Sequence, residues 1–133
     1  MKITLQIIGE VCVLRLEGKF IVGGESVYVK DKVKNVLQMG MRNILVDFTK
    51  VPYVDSTGIG FLVSSHTAVT NAGGSFKLLG LNQRVREVLR ITKLDRVFEI
   101  FDEEEAALQS FQSPSKKPRG RKTAASSDPE PTD

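Results

Sequence analysis

Tryptophan is absent from the 133 residues, cysteine and histidine occur once each, and no apolar run approaches the length of a bilayer span. Each shortage removes a class of protein. A lone Cys12 excludes an internal disulfide and fits a reducing compartment. Without roughly 20 consecutive apolar residues, no helix is expected to cross a membrane. Met1-Lys2 leads straight into an alternating strand pattern, so no signal peptide is expected. The reading is a soluble, cytoplasmic chain without membrane insertion. No Cys/His metal cluster and no Gly-rich phosphate loop occur, so neither metal nor cofactor is expected.

Strong charge of either sign is lacking as well. The formal charge is +3. Lys116, Lys117, Arg119, Arg121 and Lys122 stand against Asp128, Glu130 and Asp133 in the tail, which leaves +1 for the body. A nucleic-acid domain normally carries a basic excess that this body does not have.

What is present begins with two alternating stretches. Ile3, Leu5 and Ile7 alternate with polar residues, Gly9-Glu10 turns the chain, and Cys12, Leu14 and Leu16 alternate with Val13, Arg15 and Glu17. The pattern predicts an antiparallel hairpin with Cys12 buried as a small hydrophobe. Gly18 to Gly24 is a connection in which Gly23-Gly24 suits a positive φ or a close backbone approach. Glu25 to Met39 predicts a helix with Val29, Val33, Val36 and Leu37 inward, ended by Gly40. Asn43–Phe48 holds the run Ile44-Leu45-Val46, the mark of a strand covered on both faces.

Beyond Pro52, Val54-Asp55-Ser56-Thr57-Gly58-Ile59-Gly60 opens a helix from about Thr57 to Ala72, with Ile59, Leu62, Val63, His66 and Val69 in one stripe, stopped by Gly73-Gly74. Ser75 to Leu79 is a short strand, Asn82 caps a helix through about Ile91, and Val97 to Phe101 is a last strand. Asp102 and Glu105 have capping-box spacing for a helix reaching Phe111. The order is β-β-α-β-α-β-α-β-α: α/β, one mixed sheet opened by an antiparallel hairpin, filling 1–111. From 112 to 133 the chain is dense in Pro, Ser, Lys and Arg without apolar periodicity, which predicts a disordered tail.

The residues with chemical promise lie just past the carboxyl end of a buried strand, the edge where ligands and partners bind in open α/β sheets. Asp55-Ser56-Thr57-Gly58 is close to an aspartic-protease signature, but the glycine comes one place late and a second lobe is missing. A nucleophile elbow is excluded because Gly-x-Ser-x-Gly does not occur. His66 lies roughly 13–15 Å along the helix from Ser56 at 1.5 Å per residue, too far to be its base. No enzyme is expected. Asp55, Ser56 and Thr57 suit simple helix capping. Capping leaves Gly58 and Gly60 unexplained, since each costs about 1 kcal/mol against alanine in a helix.

In combination with this element order, Val54-Asp55-Ser56-Thr57-Gly58-Ile59-Gly60 resembles the Met-Asp-Ser-Ser/Thr-Gly-Leu-Gly motif of STAS domains of the bacterial anti-sigma factor antagonist type. Gly73-Gly74 before a strand and Arg86-Glu87-Val88-Leu89-Arg90-Ile91-Thr92-Lys93-Leu94 add to the resemblance, which covers Met1 to Phe111. It implies a protein–protein switch in transcription regulation. The unmodified antagonist binds an anti-sigma factor that is itself a serine kinase. Phosphorylation of the serine after the motif aspartate, here Ser56, releases it, and a phosphatase restores it. Asp55, Ser56, Thr57, Gly58, Ile59, Gly60 and Phe61 would form the partner-binding surface, with Ile59 and Phe61 equally suited to the core. The chain departs from the family at Gly18-Lys19-Phe20-Ile21, where members carry Gly-Glu-x-Asp: both acids are gone and one place is positive. The alternative within the same fold is a STAS scaffold or transporter-associated subunit without a phosphate cycle. Separately, Lys117-Pro118-Arg119-Gly120-Arg121-Lys122 resembles part of an AT-hook, which implies weak DNA binding through the tail.

Overall fold

The structure, a computed structural model, describes residues 2–21 and 27–112. The expected Gly23-Gly24 connection, the helix start at Glu25 and the tail beyond Gln112 lie outside the described residues. Among the described residues, five strands and four helices follow one another as the sequence predicts. Strands β1 (Lys2–Ile8) and β2 (Val11–Glu17) form the antiparallel hairpin, in register from Lys2 opposite Glu17 to Ile8 opposite Val11. Gly9 turns it with φ +61°. Strands β3 (Asn43–Lys50), β4 (Ser75–Leu79) and β5 (Glu99–Phe101) extend the sheet in the order β1-β2-β3-β4-β5, each parallel to its neighbour from β2 onward.

Helices α1 (Val27–Gln38), α2 (Ser56–Asn71) and α3 (Gln83–Ile91) connect consecutive parallel strands. All three pack on one sheet face. There Cys12, Leu14 and Leu16 of β2, Ile44, Val46 and Phe48 of β3, and Phe76 and Leu78 of β4 meet Val29, Val33 and Val36 of α1, Ile59, Leu62 and Val69 of α2, and Val85 and Leu89 of α3. Burying side chains of this size contributes about 1.5–3 kcal/mol each. Helix α4 (Glu104–Gln112) covers part of the opposite face, where Ala107 packs with Val11, Val13, Leu45 and Leu79. Ile44, Leu45 and Val46 are therefore covered on both sides, as their unbroken run implies. Cys12 is fully buried, and burial pushes its thiol pKa up.

Two polar devices hold α4 to the sheet. The Arg15 guanidinium binds Asp47 at 2.9 Å and Glu104 at 2.7 and 3.2 Å, while its Nε donates to Gln6 at 2.9 Å. The hydrogen bond to Glu104 raises the Arg15 pKa. Burial pushes Asp47 upward, but bonds from Thr49 and Arg15 outweigh it and leave its pKa below the usual range. Lys77, buried on β4, donates to Ser110 Oγ at 2.9 Å and to the Ser110 carbonyl at 3.3 Å. It also pairs with Glu99 at 3.1 Å and lies 4.5 Å from the Phe111 ring centroid. A cation against the last turn of α4 suits that helix's negative end.

Several details differ from the sequence reading. Strand β5 begins at Glu99 rather than Val97, because Leu94–Arg96 form a short 3-10 turn and Val97 bonds back to Leu94. Asp102 does not cap α4. The helix starts at Glu104, and Asp102 pairs with Arg86 instead. On α2, Val63 faces solvent, whereas Ser65 is buried, because the inward stripe steps by three and four residues through Ile59, Leu62, Ser65 and Val69.

Among the described residues, Ser65 Oγ is buried without a hydrogen-bond partner. Removing an unsatisfied hydroxyl relieves its desolvation cost, and alanine is the better helix former. Ser65→Ala is expected to raise stability by about 1 kcal/mol, seen as a higher urea midpoint at unchanged slope. A lower midpoint would show that the hydroxyl has a partner.

Candidate functional site

The turn from β3 into α2 is built by backbone pairing around one phenylalanine. Beyond β2, Phe20 bridges Val54 in parallel: Phe20 N–H donates to the Tyr53 carbonyl at 3.0 Å, and Asp55 N–H donates to the Phe20 carbonyl at 3.2 Å. The Phe20 ring is buried against Phe48 with centroids 6.0 Å apart. This lays the segment Gly18–Ile21 directly beside the start of α2. From the other side Asn82, the cap of α3, donates its amide to the Val51 and Pro52 carbonyls at 3.3 and 3.2 Å. The Arg84 guanidinium lies 4.8 Å from the centroid of the Tyr53 ring. Loop, helix and ring together fix the junction.

Asp55 is the N-cap of α2. Its backbone is extended (φ −96°, ψ −176°), and its carboxylate accepts from Gly58 N–H at 2.9 Å. Its carbonyl accepts from Ile59 N–H at 2.9 Å, closing the first helical turn. Ser56 is then the first helical residue, and it is exposed. At this place the backbone N–H groups of the opening turn point outward, and the positive end of the helix favours negative charge.

The seven residues the sequence singles out divide by burial. Ser56 and Gly60 are exposed, Asp55, Thr57 and Phe61 are half-buried, and Gly58 and Ile59 are buried. Ile59 belongs to the core, and Phe61 packs partly against it. Ser56 and Gly60, four residues apart, fall on the same outer side of α2. The two glycines have different reasons. A Cβ on Gly58 would overlap the Phe20 carbonyl oxygen and stand 2.9 Å from Cγ1 of Val54, whereas a Cβ on Gly60 would meet nothing within 4 Å.

His66 is not part of this constellation. Its ring sits edge-on to Phe98 at 5.2 Å and to Phe76 at 6.1 Å, and burial lowers its pKa. No cluster of three or more metal-ligating side chains occurs among the described residues. No helix there is long and apolar enough to cross a membrane. Sequence reasoning missed Phe20, Tyr53, Asn82 and Arg84 as builders of the junction. Only Asn82 carried a signal, as a helix cap.

The comparisons with known proteins agree with one another. A family model described as the STAS domain matches residues 2–107. A Thermotoga neapolitana protein with the name of an anti-sigma factor antagonist is 31% identical over 107 residues, 80% of this chain and 95% of that protein. The anti-sigma-B factor antagonist of Listeria monocytogenes is 31% identical over 85 residues, 61% of this chain and 75% of its own. A crystal structure from Thermotoga maritima, described as an anti-sigma factor antagonist, superposes with a TM-score of 0.78 at 25% identity. It covers 84% of this chain and 95% of that one.

Proposed function

The chain belongs to the STAS domain family, and from that premise we propose that it is an anti-sigma factor antagonist, docking a kinase-type anti-sigma factor at the N-terminus of α2 and released by phosphorylation of Ser56. The observation that carries the reading is Ser56, exposed at the first position of α2 beside an aspartate whose carboxylate is turned back to cap the helix. The partner brings the catalysis. Its active site transfers the γ-phosphoryl of ATP to Ser56 Oγ, and ADP leaves. The relatives described above bear antagonist names and are bacterial.

Ser56 suits this task for electrostatic reasons. A phosphate adds about −1.5 to −2 charges and three acceptor oxygens. Within the domain it is well tolerated, since a helix N-terminus offers N–H donors and a positive dipole end. Under a docked partner it is not tolerated: the charge would be desolvated beside the Asp55 carboxylate. Core residues Ile59, Leu62 and Phe20 brace the site from below, so the switch requires no refolding of this chain. A phosphatase that removes the phosphate resets it.

The test is incubation of the protein with each purified kinase-type anti-sigma factor of the source genome, first with a non-hydrolysable ATP analogue and then with ATP. A stable complex in the first mixture, and a phosphate mapped to Ser56 by mass spectrometry in the second, are the expected results. Absence of a complex with every candidate, or phosphate only elsewhere, overturns the reading.

A further inference from the structure

Charge on the helix-covered side of the sheet is sorted into strips. Across its 16 residues α2 has no Asp, Glu, Lys or Arg. Its one titratable group, His66, is turned against Phe76 and Phe98 with a lowered pKa. Its exposed positions include Ser56, Gly60, Val63, Ser64 and Thr67. A solvated helix face ordinarily carries charge on its outer side. This one presents an uncharged strip roughly 24 Å long at 1.5 Å per residue.

Both flanks of that strip are basic. The sheet order places α2 between α1 and α3. Helix α1 exposes Lys30, Lys32 and Lys34 against Asp31 alone, and α3 carries Arg84, Arg86 and Arg90 against Glu87 alone. Arg86 and Arg90 are paired with Asp102 and Glu87, whereas Arg84 is exposed over the Tyr53 ring. At the Ser56 end stands exposed Lys19, next to Phe20, whose backbone pairs with Tyr53 and Asp55. At the start of α4, on the far side of the sheet, Glu103, Glu104 and Glu105 run together, with Glu104 bound by Arg15.

We infer that the protein docked on α2 presents an acidic rim, with aspartates or glutamates facing Lys19 and Arg84 around an uncharged seat. The inference rests on the reading of Ser56 as the docking site and adds the chemistry of what docks there. Opposite potentials across an interface steer encounter and suppress wrong partners, while the desolvated centre supplies contact. A polyanion fits less well. Nucleic acid or a lipid headgroup layer would lay charge along the whole contact, and the central strip here offers none. An acidic rim also sharpens the switch, because a phosphate on Ser56 then faces like charge across the interface as well as beside it.

The experiment measures association kinetics between the full-length unmodified protein and whichever purified kinase-type anti-sigma factor of the source genome binds it. Raising salt from about 50 to about 500 mM shortens the Debye length severalfold and is expected to slow association about tenfold or more. Lys19→Glu and Arg84→Glu are each expected to slow association by roughly 3–10-fold at low salt. Glu10→Lys, a charge reversal in the β1–β2 turn at the opposite end of β2, leaves it unchanged. An association rate that ignores salt and both reversals, or rises with them, overturns the acidic rim while leaving the docking site standing. If no anti-sigma factor binds the wild-type protein, both fall together. Binding of duplex DNA or anionic vesicles that Lys19→Glu abolishes overturns the inference in favour of a polyanion.

Discussion

Ser56→Asp is expected to weaken binding of the anti-sigma partner by roughly a hundredfold, about 3 kcal/mol, the cost of leaving a charge unpaired at an interface. Ser56→Ala should stay within about threefold of wild type, because an exposed serine is seldom an energetic anchor. The contrast is informative because the two variants perturb the fold so little. Position 56 opens α2, and aspartate there meets the positive helix end, which is worth about 0.3–1 kcal/mol in its favour. The Asp55 cap to Gly58 is untouched by either change. The denaturation midpoint of Ser56→Asp should therefore equal or slightly exceed that of wild type while the partner is lost. Calorimetric titration with paired thermal melts measures both. Retention of the partner by Ser56→Asp would favour a STAS scaffold without a phosphate cycle.

Much of this architecture could be read from local patterns, because local chemistry dictates it. Ser75–Leu79 and Gln83–Ile91 lie where alternation and the Asn82 cap put them. The run Ile44-Leu45-Val46 announced a strand with two covered faces, and the Asp55 side chain caps as its type and place suggest. The misses are tertiary. Nothing near Asp102 in sequence says that Arg86, sixteen residues earlier, will take its carboxylate in place of a helix N–H. Val97 and Phe98 have strand-like side chains, yet Val97 N–H bonds to the Leu94 carbonyl in a tight turn. The placement of Gly18–Ile21 against Val54 was hidden for the same reason: a single bridge between segments more than thirty residues apart leaves no periodic trace. That bridge is what sets Phe20, and with it Lys19, beside the turn into α2, so the altered charge at Gly18-Lys19-Phe20-Ile21 gains meaning only once the backbone pairing is known.

The same bridge makes opposite predictions for two glycines two residues apart. By helix propensity alone, alanine at Gly58 or Gly60 should stabilise α2 by about 1 kcal/mol. At Gly60 nothing lies within 4 Å of the new methyl, so Gly60→Ala is expected to show that gain. At Gly58 the methyl would overlap the Phe20 carbonyl oxygen, which is backbone and cannot swing aside as a flexible side chain would. Relief requires moving Phe20, at the expense of the bonds from Asp55 N–H at 3.2 Å and to the Tyr53 carbonyl at 3.0 Å, and of the ring packing on Phe48. Two hydrogen bonds at about 1 kcal/mol each and overpacking of about 1–3 kcal/mol outweigh the propensity gain. Gly58→Ala is therefore expected to lower stability by about 2–4 kcal/mol, and to weaken partner binding in the fraction that stays folded, because Lys19 and the Ser56 turn shift together. Urea midpoints of the two variants decide the matter. Equal gains at both positions would mean that the Phe20 segment does not press on α2, and the geometry that presents Ser56 would lose its support.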